Sequence, residues 1–159
     1  MGKIKGLNRN VQKTHEWVHA VQDELRWTDE RRAYTALRAV LHALRDRLTL
    51  EEIVQFAAQL PTFVRGLYYE GWDPTHTPLR RRDADSFLAQ IGAAFKKTRQ
   101  TPADSRTIAR AVLRVIQDRI SPGEIEDIKS LLPARIRQFW PEDELEIPRP
   151  RSASARKAS

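Results

Sequence analysis

The apolar residues of this chain fall in stripes of helical spacing. Trp17, Val18, Val21 and Leu25 sit at i, i+1, i+4 and i+8, one face of a helix over residues 11–26. Val40, Leu41, Leu44 and Leu48 repeat the stripe in a second helix that starts near Asp29 and runs to about Arg47. Thr49-Leu50-Glu51-Glu52 has the form of a capping box and opens a third helix, which Pro61 closes. Val64, Leu67 and Tyr68 then give a short fourth helix its apolar side.

The same succession then occurs again. Residues 37–61 and residues 109–133 align without a gap. Arg38-Ala39-Val40-Leu41 answers Arg110-Ala111-Val112-Leu113, Asp46-Arg47 answers Asp118-Arg119, and Leu60-Pro61 answers Leu132-Pro133, each 72 residues on. Phe87, Leu88, Ile91 and Phe95 repeat the first stripe at an offset of 70, which places a longer loop after Phe95, around Thr101-Pro102. Ser121-Pro122-Gly123-Glu124 repeats the capping box and adds proline at the first helical position. Ile136, Phe139 and Trp140 close the series. The expected fold is all-α: two tandem four-helix repeats packed as one pseudo-two-fold helical domain. The expected divisions are a basic flexible N-terminus (1–10), a first repeat (11–72), a linker (73–82), a second repeat (83–141) and a disordered tail (142–159) that is basic from 149.

Net charge is +7 over 159 residues, and its location matters more than its size. Lys3, Lys5, Arg9 and Lys13 give residues 1–13 a charge of +4. Arg149, Arg151, Arg156 and Lys157 give residues 147–159 another +4, leaving the body at −1. These basic ends are the candidate nucleic-acid contacts, and such binding would be weak and salt-sensitive. The chain has no cysteine, which excludes disulfide, thiolate and zinc–thiolate chemistry. No apolar run approaches a membrane span, and no signal-peptide core precedes the body. A soluble cytoplasmic protein is expected.

Candidate chemistry is sparse. His15-Glu16-Trp17-Val18-His19 matches HExxH, the helical motif in which two histidines hold zinc and the glutamate acts as base. Gln22 and Leu25 stand where a metzincin continues with Gly and His, and no downstream motif offers a third ligand. The matching positions of the repeat are Asp85, Ser86 and Ala89. The match therefore reads as a coincidence on an amphipathic helix, and neither metal nor cofactor is expected. Ser86, Ser105, Ser121 and Ser130 lack a nucleophile-elbow pattern. The two Asp-Arg pairs read as ion pairs and cap contacts. No catalytic residue is assigned and no enzyme is expected.

Two features suit a partner. Tyr68, Tyr69, Glu70 and Trp72 form either an aromatic anchor or a seal between the halves, with Tyr69 and Trp72 expected outermost. Arg80-Arg81-Arg82 either grips anionic groups or is a solvated run balanced by Asp83 and Asp85.

The segment RLTLEEIVQFAAQLP, followed by VRGLYYEGWDP, resembles the bacterial domain-of-unknown-function family 2267, over residues 11–141. Leu60-Pro61 and the run from Tyr68 to Pro74 carry the resemblance most specifically. The second half keeps Leu132-Pro133 but has Phe139-Trp140-Pro141 in place of that run. The resemblance implies a bacterial, cytosolic, all-helical protein and supplies no catalytic residues. The leading expectation is a non-enzymatic module that binds a protein partner or itself. A nucleic-acid-associated protein with basic ends is the alternative.

Overall fold

A computed structural model describes residues 4–100 and 103–141. The described residues are all-α, in eight helices and one 3-10 turn. In order these are α1 (Lys5–Leu25), α2 (Glu30–Arg45), α3 (Leu50–Ala57), α4 (Thr62–Tyr69), the turn Pro74–His76, α5 (Ala84–Lys97), α6 (Ser105–Arg119), α7 (Pro122–Leu131) and α8 (Ala134–Arg137).

Carboxylate and hydroxyl caps set the starts of α2, α3, α5 and α6. Asp29 accepts from the Arg32 amide, Asp83 from Ser86, and Asp104 from Arg106 and Thr107, each satisfying amides that a helix start leaves without partners. Thr49 and Glu52 form the reciprocal capping box, with the Thr49 amide 2.8 Å from Glu52 Oε2. The corresponding Ser121 occupies the cap of α7, yet its hydroxyl makes no cap hydrogen bond with described residues. There Pro122 presets the helix start instead. α1 ends on Arg26 in the left-handed region, φ 56°.

One helix departs from expectation at its start. α1 begins at Lys5, not near Val11, and Ile4, Leu7 and Val11 continue its apolar stripe backwards. Those three remain 69%, 50% and 42% exposed. The helix runs on past the core it serves. Thr101-Pro102 and residues 142–159 lie outside the described residues.

α1, α2, α5 and α6 make the centre. α1 packs on α2 and α6, α5 packs on α2 and α6, and α2 meets α6 directly. α4 closes over α1 and α2, α8 over α5, and α3 meets α7. The stripes read from the sequence become the interior: Trp17, Val21, Leu41, Leu44, Phe87, Ile91, Phe95, Val112, Leu113 and Ile116 are buried. Each large side chain moved out of water contributes roughly 1.5–3 kcal/mol. Phe87 stacks on Phe139 at 5.8 Å, and the Tyr68 hydroxyl, buried beside Phe56, donates to the Ile53 carbonyl at 3.0 Å.

Candidate functional site

A groove of about 370 Å³ lies where α3 meets α7. Leu48, Phe56, Ile128 and Leu131 give it an apolar lining, and Glu52, Glu124 and Asp127 line it as well, with no basic residue among the lining residues. Its two walls come from corresponding sequence positions: Glu52 and Glu124, Gln55 and Asp127, Phe56 and Ile128, Gln59 and Leu131. Leu131 is 37% exposed, and Leu50 and Val54 are exposed on the outer face of α3. Sequence reading missed this groove. The exposed apolar residues of α3, Leu50 and Val54, lie outside its lining, so the surplus apolar positions of that helix did not mark it.

The residues singled out between the halves are gathered over the end of α2. Tyr69 and Trp72 lie ring to ring at 5.5 Å, both half-buried against the core, and the Trp72 indole donates to Thr77 Oγ1 at 3.0 Å. Asp73 accepts from the hydroxyl and amide of Thr75 and bonds the His76 ring, which hold its carboxyl down at about 2. Arg80 and Arg81 border a depression shared with Arg47, His76, Ser86 and Gln90. Arg82 is turned inward and donates to the Arg47 carbonyl at 2.9 Å.

Arg47 is the residue that sequence reasoning undervalued here. It is 1% exposed. Its guanidinium donates to the Ala43 carbonyl, to Gln90 Oε1 at 2.7 Å and to Ser86 Oγ at 3.3 Å. Gln90 in turn donates to Asp46 at 2.7 Å, which also takes Arg45 at 2.9 Å. Burial pushes the Arg47 pKa down, while Asp46 and Asp83 oppose that. The arrangement ties the linker to the core.

Of the basic residues proposed for nucleic acid, Lys5, Arg9 and Lys13 lie along α1, whereas Lys3, Arg149, Arg151, Arg156 and Lys157 lie outside the described residues. Arg9 and Lys13 border a depression with Glu16, Arg65 and Arg119.

On the other side of α1, the two histidines of the HExxH string do meet a third group. Glu30, the first residue of α2, places Oε1 3.1 Å from His15 Nδ1 and 3.4 Å from His19 Nε2. The three side chains offer ligand atoms all within 4.8 Å of one another. Glu16 borders the Arg9 depression instead.

A model of the family described as "Uncharacterized conserved protein (DUF2267)" matches residues 14–139. The chain belongs to this family. None of the curated proteins matches it. The DUF2267 match covers the α3–α7 groove, the Arg47 junction and the His15–His19–Glu30 cluster, and it leaves the first turns of α1 outside. In this DUF2267 chain, serine hydroxyls serve the backbone: Ser86 donates to the carbonyls of Arg81 and Asp83, and Ser130 to that of Asp127. What the surface offers is one groove lined by apolar and acidic residues and one depression rich in basic residues. No helix among the described residues is long and apolar enough to cross a membrane.

Proposed function

We propose that this protein is a non-enzymatic interaction module that assembles with further copies of itself. In this reading the α3–α7 groove is the receptor and the start of α1 is the ligand. The observation that carries it is the complementarity of the two surfaces. The groove is lined by apolar residues together with Glu52, Glu124 and Asp127. The first turns of α1 project Ile4, Leu7 and Val11 in an exposed stripe, and Lys5, Arg9 and Lys13 follow on the opposite side at helical spacing. A basic amphipathic helix laid in an apolar groove is an established mode of recognition, and the attraction between a basic helix and an acidic surface steers the encounter. The tail after residue 146 is the poorer occupant, because Ile147 is its only large apolar residue.

The test is the mass of the full-length chain by light scattering across a concentration series. The expected result is association that weakens with salt and is abolished by Leu7→Asp or by Leu131→Asp. A chain that stays monomeric at every concentration refutes self-docking. Association unchanged in both aspartate variants refutes this pair of surfaces, as does a monomer whose groove takes up only an unrelated basic helical peptide.

The two four-helix halves are read as duplicated repeats about a pseudo-two-fold axis. Exchanging α1–α4 with α5–α8 carries the α1–α6 contact onto α5–α2 and the α1–α4 contact onto α5–α8, and the groove walls come from matching positions. A bacterial, cytosolic setting is proposed from the family resemblance.

A second reading, nucleic-acid association, is favoured by one observation: Arg9 and Lys13 share a depression with Arg65 and Arg119. It requires DNA binding that falls steeply with salt and is lost in Arg9→Glu/Lys13→Glu. Salt-independent binding, or none, removes it.

A further inference from the structure

We propose that His15, His19 and Glu30 form a binding site for one divalent transition-metal ion of the zinc class, joining the middle of α1 to the first turn of α2. Residues four apart on a helix stand one above the other on a single face, so the two imidazoles converge, with ring centroids 5.9 Å apart. The turn between the helices, capped by Asp29, sets Glu30 opposite them. In a tetrahedral site with bonds of about 2.0–2.1 Å, neighbouring ligand atoms are about 3.3–3.4 Å apart. Two of the three edges already have nearly that length: 3.1 Å from Glu30 to His15 and 3.4 Å from Glu30 to His19.

Both histidine side chains are more than half exposed, at 53% and 58%. The third edge can therefore close by rotation about side-chain bonds without moving the helices. The ion would take the place of the proton shared between imidazole and carboxylate. Two nitrogens and one oxygen suit Zn²⁺, Co²⁺, Ni²⁺ or Cu²⁺, and not Mg²⁺ or Ca²⁺, which prefer oxygen ligands.

Two features bound the affinity and the role. Arg31 borders the same depression, and the positive end of the α2 dipole also faces the ion. Both oppose a cation, so the affinity falls short of that of the tighter structural zinc sites. Glu16, the base of a zinc hydrolase with this motif, belongs to the depression bordered by Arg9 and Arg119. The site is thus a clip between helices with one position left for water or a group from outside.

The test is titration of the chelator-treated full-length protein with Zn²⁺ by calorimetry and with Co²⁺ by visible absorption. One ion per chain is expected, and Mg²⁺ in excess does not compete. His15→Ala, His19→Ala and Glu30→Gln each weaken Zn²⁺ by at least about tenfold, since even partners outside the first coordination shell cost 10–100-fold when removed. His76→Gln leaves the affinity unchanged, and circular dichroism checks that every variant is folded. Zn²⁺ at a hundred times its dissociation constant raises the Tm by roughly 5–10 °C. Absence of saturable binding overturns the proposal. So does wild-type affinity in Glu30→Gln, which would leave a bare histidine pair and no three-ligand site.

Discussion

Asp46-Arg47 follows the last residue of α2 and Asp118-Arg119 closes α6, and both arginines reach back to the carbonyl four residues earlier. Arg47 donates to the Ala43 carbonyl at 2.9 Å and Arg119 to the Val115 carbonyl at 3.3 Å. Beyond that bond they part. Arg47 is sealed under the linker: the Leu79 amide donates to the Asp46 carbonyl at 2.8 Å, Arg82 covers the Arg47 carbonyl, and Ser86 and Gln90 of α5 take the guanidinium. Arg119 stays exposed in an open depression beside Arg9 and Lys13. The local sequence sets the bond along the helix, and the segment that follows in the chain decides whether the charge is buried. A buried charge without a directly bonded carboxylate is costly to desolvate, so the linker over Arg47 has to be held by many weaker bonds at once.

The sharpest way to break this comparison is to truncate both arginines. Arg47→Ala leaves Gln90 and Ser86 without their donor and opens a void beside Phe87, whose ring lies 5.5 Å from the guanidinium. A loss of about 3 kcal/mol is expected, which in a chain of this size lowers the Tm by roughly 6–12 °C. Arg119→Ala is expected within about 0.5 kcal/mol of the parent. Arg47→Met should cost less than Arg47→Ala, because it fills the space without a charge to desolvate. Urea denaturation of the three variants measures the series, and equal losses at both arginines would show that the linker does not seal the junction.

Much of the fold was legible because it depends on periodicity. Trp17, Val21, Leu41, Phe87 and Ile116 went inside as their spacing required, and Asp29, Thr49 and Pro61 bounded helices by local chemistry alone. The sites were less legible because each joins residues that no local pattern connects. Glu30 meets His15 and His19 only once the turn after Arg26 folds α2 back on α1. The groove exists only where α3 touches α7. Arg47 looked like its copy Arg119 until the linker was laid over it. The early start of α1 was readable from Ile4, Leu7 and Val11, but the lack of a core beneath them was not.

The capping boxes give the next contrast. Thr49 and Glu52 exchange both bonds, whereas Ser121 in the same position makes no cap hydrogen bond with described residues. Thr49→Ala should cost about 1 kcal/mol. Ser121→Ala should cost only a few tenths, since Pro122 already fixes the first helical φ. A comparable loss at both, measured by chemical denaturation, would mean that the Ser121 hydroxyl caps α7 in solution.

The smallest effect separates the halves by pH. His42 donates from Nε2 to the Leu67 carbonyl at 2.8 Å, and the corresponding position of the second half is Arg114. Burial lowers the His42 pKa from its ordinary 6.5, the Leu67 carbonyl opposes this, Arg45 and Arg38 add to it, and Asp46 works against them. An imidazole with a depressed folded pKa takes up protons more readily once unfolded. Its contribution is therefore complete above pH 6.5 and is lost as pH falls through the lowered folded value. Denaturation midpoints of the parent should decline on acidification below 6.5 more steeply than those of His42→Gln, whose amide can still donate to Leu67. Parallel curves would show that the carbonyl bond, rather than the buried neutral ring, governs this position.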